Sequence, residues 1–198
     1  MPKKSGVILI SLGAVLILAA LLLFLYNRSE DRRAGQEAES LLEDARSAIS
    51  ANAAPEEPQE EPVEEITYDY AGVIAIPDLS LELPVIDQWN YDRLKAAPCR
   101  QSGAAPDGDL VIAAHNYKSH FGYLDRLPPG ASVIFTDMEG TVYRYAVEEI
   151  RRLEPEDAED VSSVFSSEYP LVLYTCTPGG KARVAVFCRW AEAAEQAK

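Results

Sequence analysis

Residues Leu171–Phe187 read LVLYTCTPGGKARVAVF. Two runs of strand-forming residues flank Thr177–Ala182, whose Pro-Gly-Gly centre is turn chemistry. The stretch is a β-hairpin, and successive side chains on each arm point to opposite faces. Val184, Val186, Cys188 and Trp190 share one face; Arg183, Ala185, Phe187 and Arg189 share the other. Folding about the turn sets Cys176 opposite Arg183 as cross-strand neighbours about 5 Å apart. In the same register Cys188 falls opposite about Leu171, roughly 16 Å along the strand from Cys176 at about 3.3 Å per residue. That separation excludes a disulfide between them. Cys188 therefore reads as a buried packing residue. Cys176 stands at a strand end, where a side chain becomes reachable. The third cysteine, Cys99, follows Pro98 in a turn and suggests no chemistry, and the odd count leaves at least one thiol unpaired in the monomer.

Upstream, the same kind of signal repeats. VIAIP (Val73 to Pro77) and LELPVID (Leu81 to Asp87) are short strand-like runs split by a turn at Pro77 and Asp78. NYDRLKAAPC (Asn90 to Cys99) has a short helical pattern that Pro98 must end. QSGAAPDGD is turn material leading into LVIAAHN, and FGYLDRL reads as one or two helical turns stopped by PPG. SVIFTD and TVYRYAVEEIRRLEP form a hairpin around Glu139-Gly140. An acidic loop and a short VSSVF turn then precede LVLYTC. About eight short strands in roughly 125 residues, with few helices, favour an all-β closed barrel or a sandwich.

Ahead of this domain the composition changes twice. Gly6 to Tyr26 is uncharged and apolar, and as a helix it would span roughly 31 Å, the thickness of a hydrocarbon core. The run exceeds a signal-peptide core, and YNRSEDRR occupies the place of a small-x-small cleavage site, so an uncleaved anchor is expected. Residues 1–5 form a short head before it. Residues 27–65 are read as a stalk: a helical pattern with a thin apolar stripe at Leu41, Leu42, Ala45 and Ile49, read as a stalk helix rather than a packed one, then a Pro/Glu-rich linker from Ser50 to Glu65. Globular composition covers 66–198. Lys/Arg residues flank both ends of the span, so the charge rule does not set its orientation. The short basic head favours a cytoplasmic N-terminus, with the acidic bulk of the chain outside the cell.

The net charge is −14, and about a third of the acidic residues lie between Glu30 and Glu65. Such a balance excludes a nucleic-acid footprint and argues against a second, electrostatic attachment to anionic lipid. It suits a solvated, self-repelling stalk.

Candidate chemistry is concentrated in few residues. The chain has two histidines, His115 and His120, both within LVIAAHNYKSHFGYLDRL. Singly, His115 is ordinary as a structural histidine and Cys176 as a small hydrophobe. Together with Arg183 they are more specific. A cysteine nucleophile needs positive surroundings and a proton donor for the leaving amine. A guanidinium supplies fixed hydrogen-bond donors for a developing oxyanion. A metal site from His115, His120 and one cysteine lacks ordinary zinc spacing and a fourth ligand. The non-catalytic alternative is a membrane-tethered extracellular β-barrel binding domain in which the Cys and His are structural.

Val172-Leu173-Tyr174-Thr175-Cys176 resembles the T-L-x-T-C strand of the sortases, membrane-anchored cysteine transpeptidases of Gram-positive bacteria, with Val in place of the first Thr. Ala114-His115-Asn116 resembles their strand-end G-H-N, with Ala for Gly. Arg183 opens the strand after the cysteine, as the family's arginine does, which selects it over Arg189. Ile76 to Ile86 is similar to the first barrel hairpin. The turn after Cys176 is shorter than in members with long loops there, which leaves the subclass open between D-like and B-like.

The resemblance implies an eight-stranded closed sortase barrel with short helices, and a defined reaction. Cys176 would attack an LPxTG-like sorting signal of a secreted protein, forming a thioacyl-enzyme. His115 would serve as proton donor and acceptor, and Arg183 would position the peptide and steady the oxyanion. The acceptor would be an amine, from a lipid-linked cell-wall precursor or a pilin lysine. Asn116, Thr175 and Thr177 would be substrate-binding, the Thr177 amide as a second oxyanion donor. No cofactor or metal is implied.

Overall fold

The computed structural model describes residues 4–52, 68–154 and 169–191. One long helix, α1 (Lys4–Asn52), precedes β1 (Tyr70–Ile76), β2 (Leu81–Ile86), helix α2 (Tyr91–Ala96), β3 (Cys99–Ser102), β4 (Leu110–Ala114), β5 (Ser132–Asp137), β6 (Val142–Leu153), β7 (Leu171–Cys176) and β8 (Arg183–Trp190). Two compact units divide the chain, Met1–Arg33 and Ala34–Lys198.

In the first unit the apolar residues of α1 lie open. Those from Ile8 to Tyr26 are 51–74% exposed, as a bilayer-facing helix is when no protein covers it. This is the one helix among the described residues long and apolar enough to cross a membrane.

In the second unit the strands close into a barrel in the order β1-β2-β3-β4-β7-β8-β6-β5, which settles the choice between barrel and sandwich. Closure comes from antiparallel pairing of β1 with β5, Gly72 opposite Asp137. Two neighbours are parallel, β2 with β3 and β4 with β7. Inward-facing residues such as Ile74, Ile112, Val133, Leu173, Val186 and Cys188 fill the interior. The outward faces of β4, β7 and β8 carry a second apolar layer, with Val111, Val172, Ala185 and Phe187. Alternation along each strand creates both layers.

Local chemistry explains the connections. The Asn90 side chain accepts from the amides of Asp92 (3.0 Å) and Arg93 (2.8 Å), capping α2. In the β5–β6 turn, Asp137 accepts from the amides of Glu139 (3.1 Å) and Thr141 (2.7 Å) and from the Tyr143 hydroxyl (3.0 Å). FGYLDRL yields one 3₁₀ turn, Leu124–Arg126. Cys99, expected in a turn, instead opens β3 and pairs with Ala113; Pro98 ends α2's segment and releases an extended chain. The VSSVF turn, and the linker beyond Asn52 to residue 65, lie outside the described residues.

The stalk expectation differs from the structure over Ala34–Asn52. Ala34, Ala38, Leu41, Leu42 and Ala45 are buried at 0–9% exposure. Ala38 joins the inner cluster, Leu41 packs with Ile86 and Leu94, and Leu42 and Ala45 pack against Val73. Arg46 pairs with Glu82, and the Asn52 amide donates to Met138 O at 3.0 Å. The stripe looked thin because alanines supply half of it. Small residues bury little area each but let a helix approach its neighbour closely.

Candidate active site

β4 and β7 run parallel in the register Leu110↔Leu171 through Ala114↔Thr175. The next residues of the two chains, His115 and Cys176, leave the barrel at the same end. They fall on the outward side, in step with Ala113 and Tyr174. β8 pairs antiparallel with β7 and sets Arg183 directly opposite Cys176. His115, Cys176 and Arg183 thus occupy one row across three adjacent strands, and neighbouring strands of a sheet lie about 4.8 Å apart. Arg189 pairs with Ala146 near the other end of β8.

The hairpin turn is held from within. The Thr177 amide donates to Ala182 O at 2.9 Å, and the Gly180 amide to Thr177 O at 2.8 Å. Gly179 and Gly180 have φ of 87° and 72°, left-handed conformations that glycine adopts without a Cβ penalty. The Thr177 hydroxyl also bonds Ala182, accepting from its amide at 3.1 Å. The Thr177 N–H, expected as an oxyanion donor, is thus engaged with Ala182 O in closing the turn. Arg183 Nη1 donates to Gly180 O at 3.1 Å and Ala182 O at 3.3 Å, which holds the guanidinium at the lip of the strand.

Thr175 points inward and is 4% exposed. Its hydroxyl donates to Ala114 O at 2.8 Å, so its partner here is the β4 backbone beside His115. Asn116 is half-buried in the loop that follows. The Asn116 and Tyr117 carbonyls would lie 2.6 Å from a Cβ at Gly122, so the loop is wound too tightly for a side chain there.

His115 is half-buried. Burial, then the nearby Lys95 charge, pushes its pKa below the ordinary 6.5. Its ring packs against Tyr117 at 5.0 Å between centroids. His120 is fully buried and meets the same tyrosine ring edge-on at 5.5 Å. Tyr174 lies two positions before Cys176 on the same face of β7; its hydroxyl donates to Gln101 at 3.0 Å, and burial pushes its pKa up to about 12.

The three thiols are free and differ in setting. Cys176 is partly exposed, whereas Cys99 and Cys188 are fully buried. Burial pushes the Cys99 thiol up to about 12 and raises that of Cys188 as well. Cys188 pairs with Leu171 and lines the barrel interior, as alternation predicts.

Sequence reasoning missed Lys95, Tyr117 and Tyr174 as neighbours of the row. Tyr174 was readable from alternation, two positions before Cys176 on the same face. Lys95 and Tyr117 carry no periodic signal.

Comparison with known proteins agrees with this architecture. The chain resembles solved structures of sortase C from Streptococcus pneumoniae (23% identity, TM-score 0.54, covering 83% of this chain and 95% of that one). It also resembles a Clostridium perfringens sortase D5 transpeptidase (19%, 0.53, 82% and 99%). A lid mutant of Corynebacterium diphtheriae sortase A matches at 18% identity and TM-score 0.53, over 78% and 94% of the two chains. At these identities the likeness speaks for the fold. A sequence search of curated proteins finds no significant match. The family model described as the Sortase domain matches residues 74–191, more than half the chain, and takes in all three residues of the row. This chain belongs to the sortase family.

Proposed function

We propose that the protein is a membrane-anchored cysteine transpeptidase in which Cys176, His115 and Arg183 form the catalytic set. The observation that carries this reading is the row itself: parallel β4 and β7 and antiparallel β8 deliver the three groups to one end of the barrel. A binding module with structural Cys and His has no need of that convergence. A papain-like arrangement would carry its nucleophile on a helix, whereas Cys176 ends a strand.

The Cys176 thiolate attacks the carbonyl carbon of the threonine in an LPxTG-like signal. Arg183 donates to the oxyanion that develops. As the tetrahedral species collapses, the carbon–nitrogen bond breaks and His115, protonated, gives its proton to the departing amine. The thioacyl-enzyme then accepts a second amine, whose proton passes to His115 as the thiolate is released. The acceptor is a lipid-linked cell-wall precursor or a pilin lysine. The N-terminal helix anchors the chain with its short head in the cytoplasm and the barrel outside. The subclass, D-like or B-like, sets the sorting motif and acceptor.

The test is to incubate the full chain in detergent with a library of LPxTG-like peptides and several amines, and to weigh enzyme and products. The expected result is an acyl adduct on Cys176 and amide products, both lost in Cys176→Ala. Cys188→Ala should keep turnover while lowering stability, because its thiol only fills the interior. A well-folded Cys188→Ala chain that is dead, beside an active Cys176→Ala chain, would overturn the assignment.

A further inference from the structure

The segment 115–122 is more ordered than a strand-to-strand loop requires. The Phe121 amide donates to His115 O at 3.2 Å, and the His120 and Gly122 amides converge on Tyr117 O at 3.0 and 2.8 Å. Phe121 and Leu124 are fully buried and fix the far end of the loop in the barrel interior. These bonds hold the backbone, yet the His115 side chain lies beyond the last β4 pair, where strand pairing no longer limits its rotamer.

An aromatic ring is placed to supply that limit. The Tyr117 ring packs against His115 at 5.0 Å with 44° between planes. Being half-buried, Tyr117 needs backing of its own. It has it in His120, whose ring meets it edge-on at 5.5 Å and 61°, a favoured aromatic geometry. We propose that Tyr117 is a positioning residue for the His115 imidazole, and that the buried ring of His120 holds Tyr117 in place. The inference rests on His115 being the proton-transfer group. It assigns the second histidine to the same reaction, acting through Tyr117 rather than on the substrate.

The test uses the full chain in detergent with ¹³C-labelled histidine. Replacing His120 leaves His115 as the single histidine signal. His120→Leu should move the His115 ring resonance and lower kcat about tenfold, with KM within about twofold, because a small misplacement of a reacting group costs rate rather than affinity. His120→Phe, which keeps an aromatic edge, should restore both toward wild type. Tyr117→Phe should retain kcat and Tyr117→Leu should lose it to a similar degree. Should His120→Leu fail to fold, His120→Gln, which is polar but ringless, takes its place in both measurements. A His115 signal and kcat unchanged by the ringless His120 variants would overturn the proposal, as would no rescue by phenylalanine. The resonance reads ring placement without turnover. A wild-type chain that processes no peptide would therefore sink the transpeptidase reading while the spectrum still decides this one.

Discussion

Thr175 donates its hydroxyl to Ala114 O at 2.8 Å, joining β7 to β4 one residue before Cys176 and His115. The bond is buried, and its two partners immediately precede Cys176 and His115 in the chain. A motif residue expected to touch substrate is hydrogen-bonded here to the neighbouring strand, and under the proposed mechanism it would fix the spacing of Cys176 and His115.

Thr175→Val keeps shape and strand propensity but removes the donor. It should cost about 1 kcal/mol in urea unfolding, the net worth of a typical hydrogen bond, and lower kcat about tenfold by loosening the spacing. Wild-type turnover in a Thr175→Val chain of reduced stability would show that the bond serves the fold alone.

His115 contributes a pH-dependent term of definite sign. Burial and Lys95 hold its pKa in the folded chain below 6.5, so the unfolded chain takes up the proton first as pH falls. Its stabilising contribution is present above pH 6.5 and is lost as pH drops through the folded value. Denaturant midpoints should fall across that window in wild type and fall less in His115→Gln. Removing the Lys95 charge with Lys95→Gln should raise the imidazole pKa and move the acid limb of the rate profile to higher pH. An unmoved limb would mean that Lys95 does not influence His115.

The Ala34–Asn52 part of α1 behaves as part of the barrel domain, not as a stalk. A chain beginning at residue 34 should match the full chain in thermal midpoint. One beginning at residue 68 uncovers Val73, Ile86 and Leu94 and should be less stable by several kcal/mol, at about 25 cal/mol per Å² of apolar surface. Gly35→Val adds bulk where even a Cβ would lie 3.1 Å from Ser119 Cβ. It should therefore disturb the His115 loop and slow turnover. Equal stability of the two truncated chains would refute the packed assignment.

Tyr145 is fully buried, stacked on Trp190 at 4.7 Å, and its hydroxyl has no hydrogen-bond partner among the described residues. Burial raises its pKa. Tyr145→Phe removes the uncompensated polar atom and keeps the stack, so it should raise stability by about 1 kcal/mol. A drop of that size would reveal a partner for the hydroxyl.

Much of the site is local, and what is local is legible in one dimension. The six-residue turn and the two-residue alternation suffice to oppose Cys176 to Arg183 and to bury Cys188. A hairpin's register follows from its own turn, without reference to the rest of the chain. The apolar length of the N-terminal run and the number of strands are likewise sums over neighbouring residues.

Tertiary structure alone decided what joins distant segments. Ala114 and Thr175 are 61 positions apart, and their parallel pairing has no turn to announce it; closing the barrel selects it. The burial of Ala38 and Ala45, the contact of Tyr117 with two histidine rings, and the approach of Lys95 to His115 arise in the same way. Each depends on which surfaces meet once the sheet curls shut, and residue spacing carries no trace of that. The Thr177 amide shows the converse. A position beside Cys176 suggested an open donor, and the turn's own hydrogen bonding engages it.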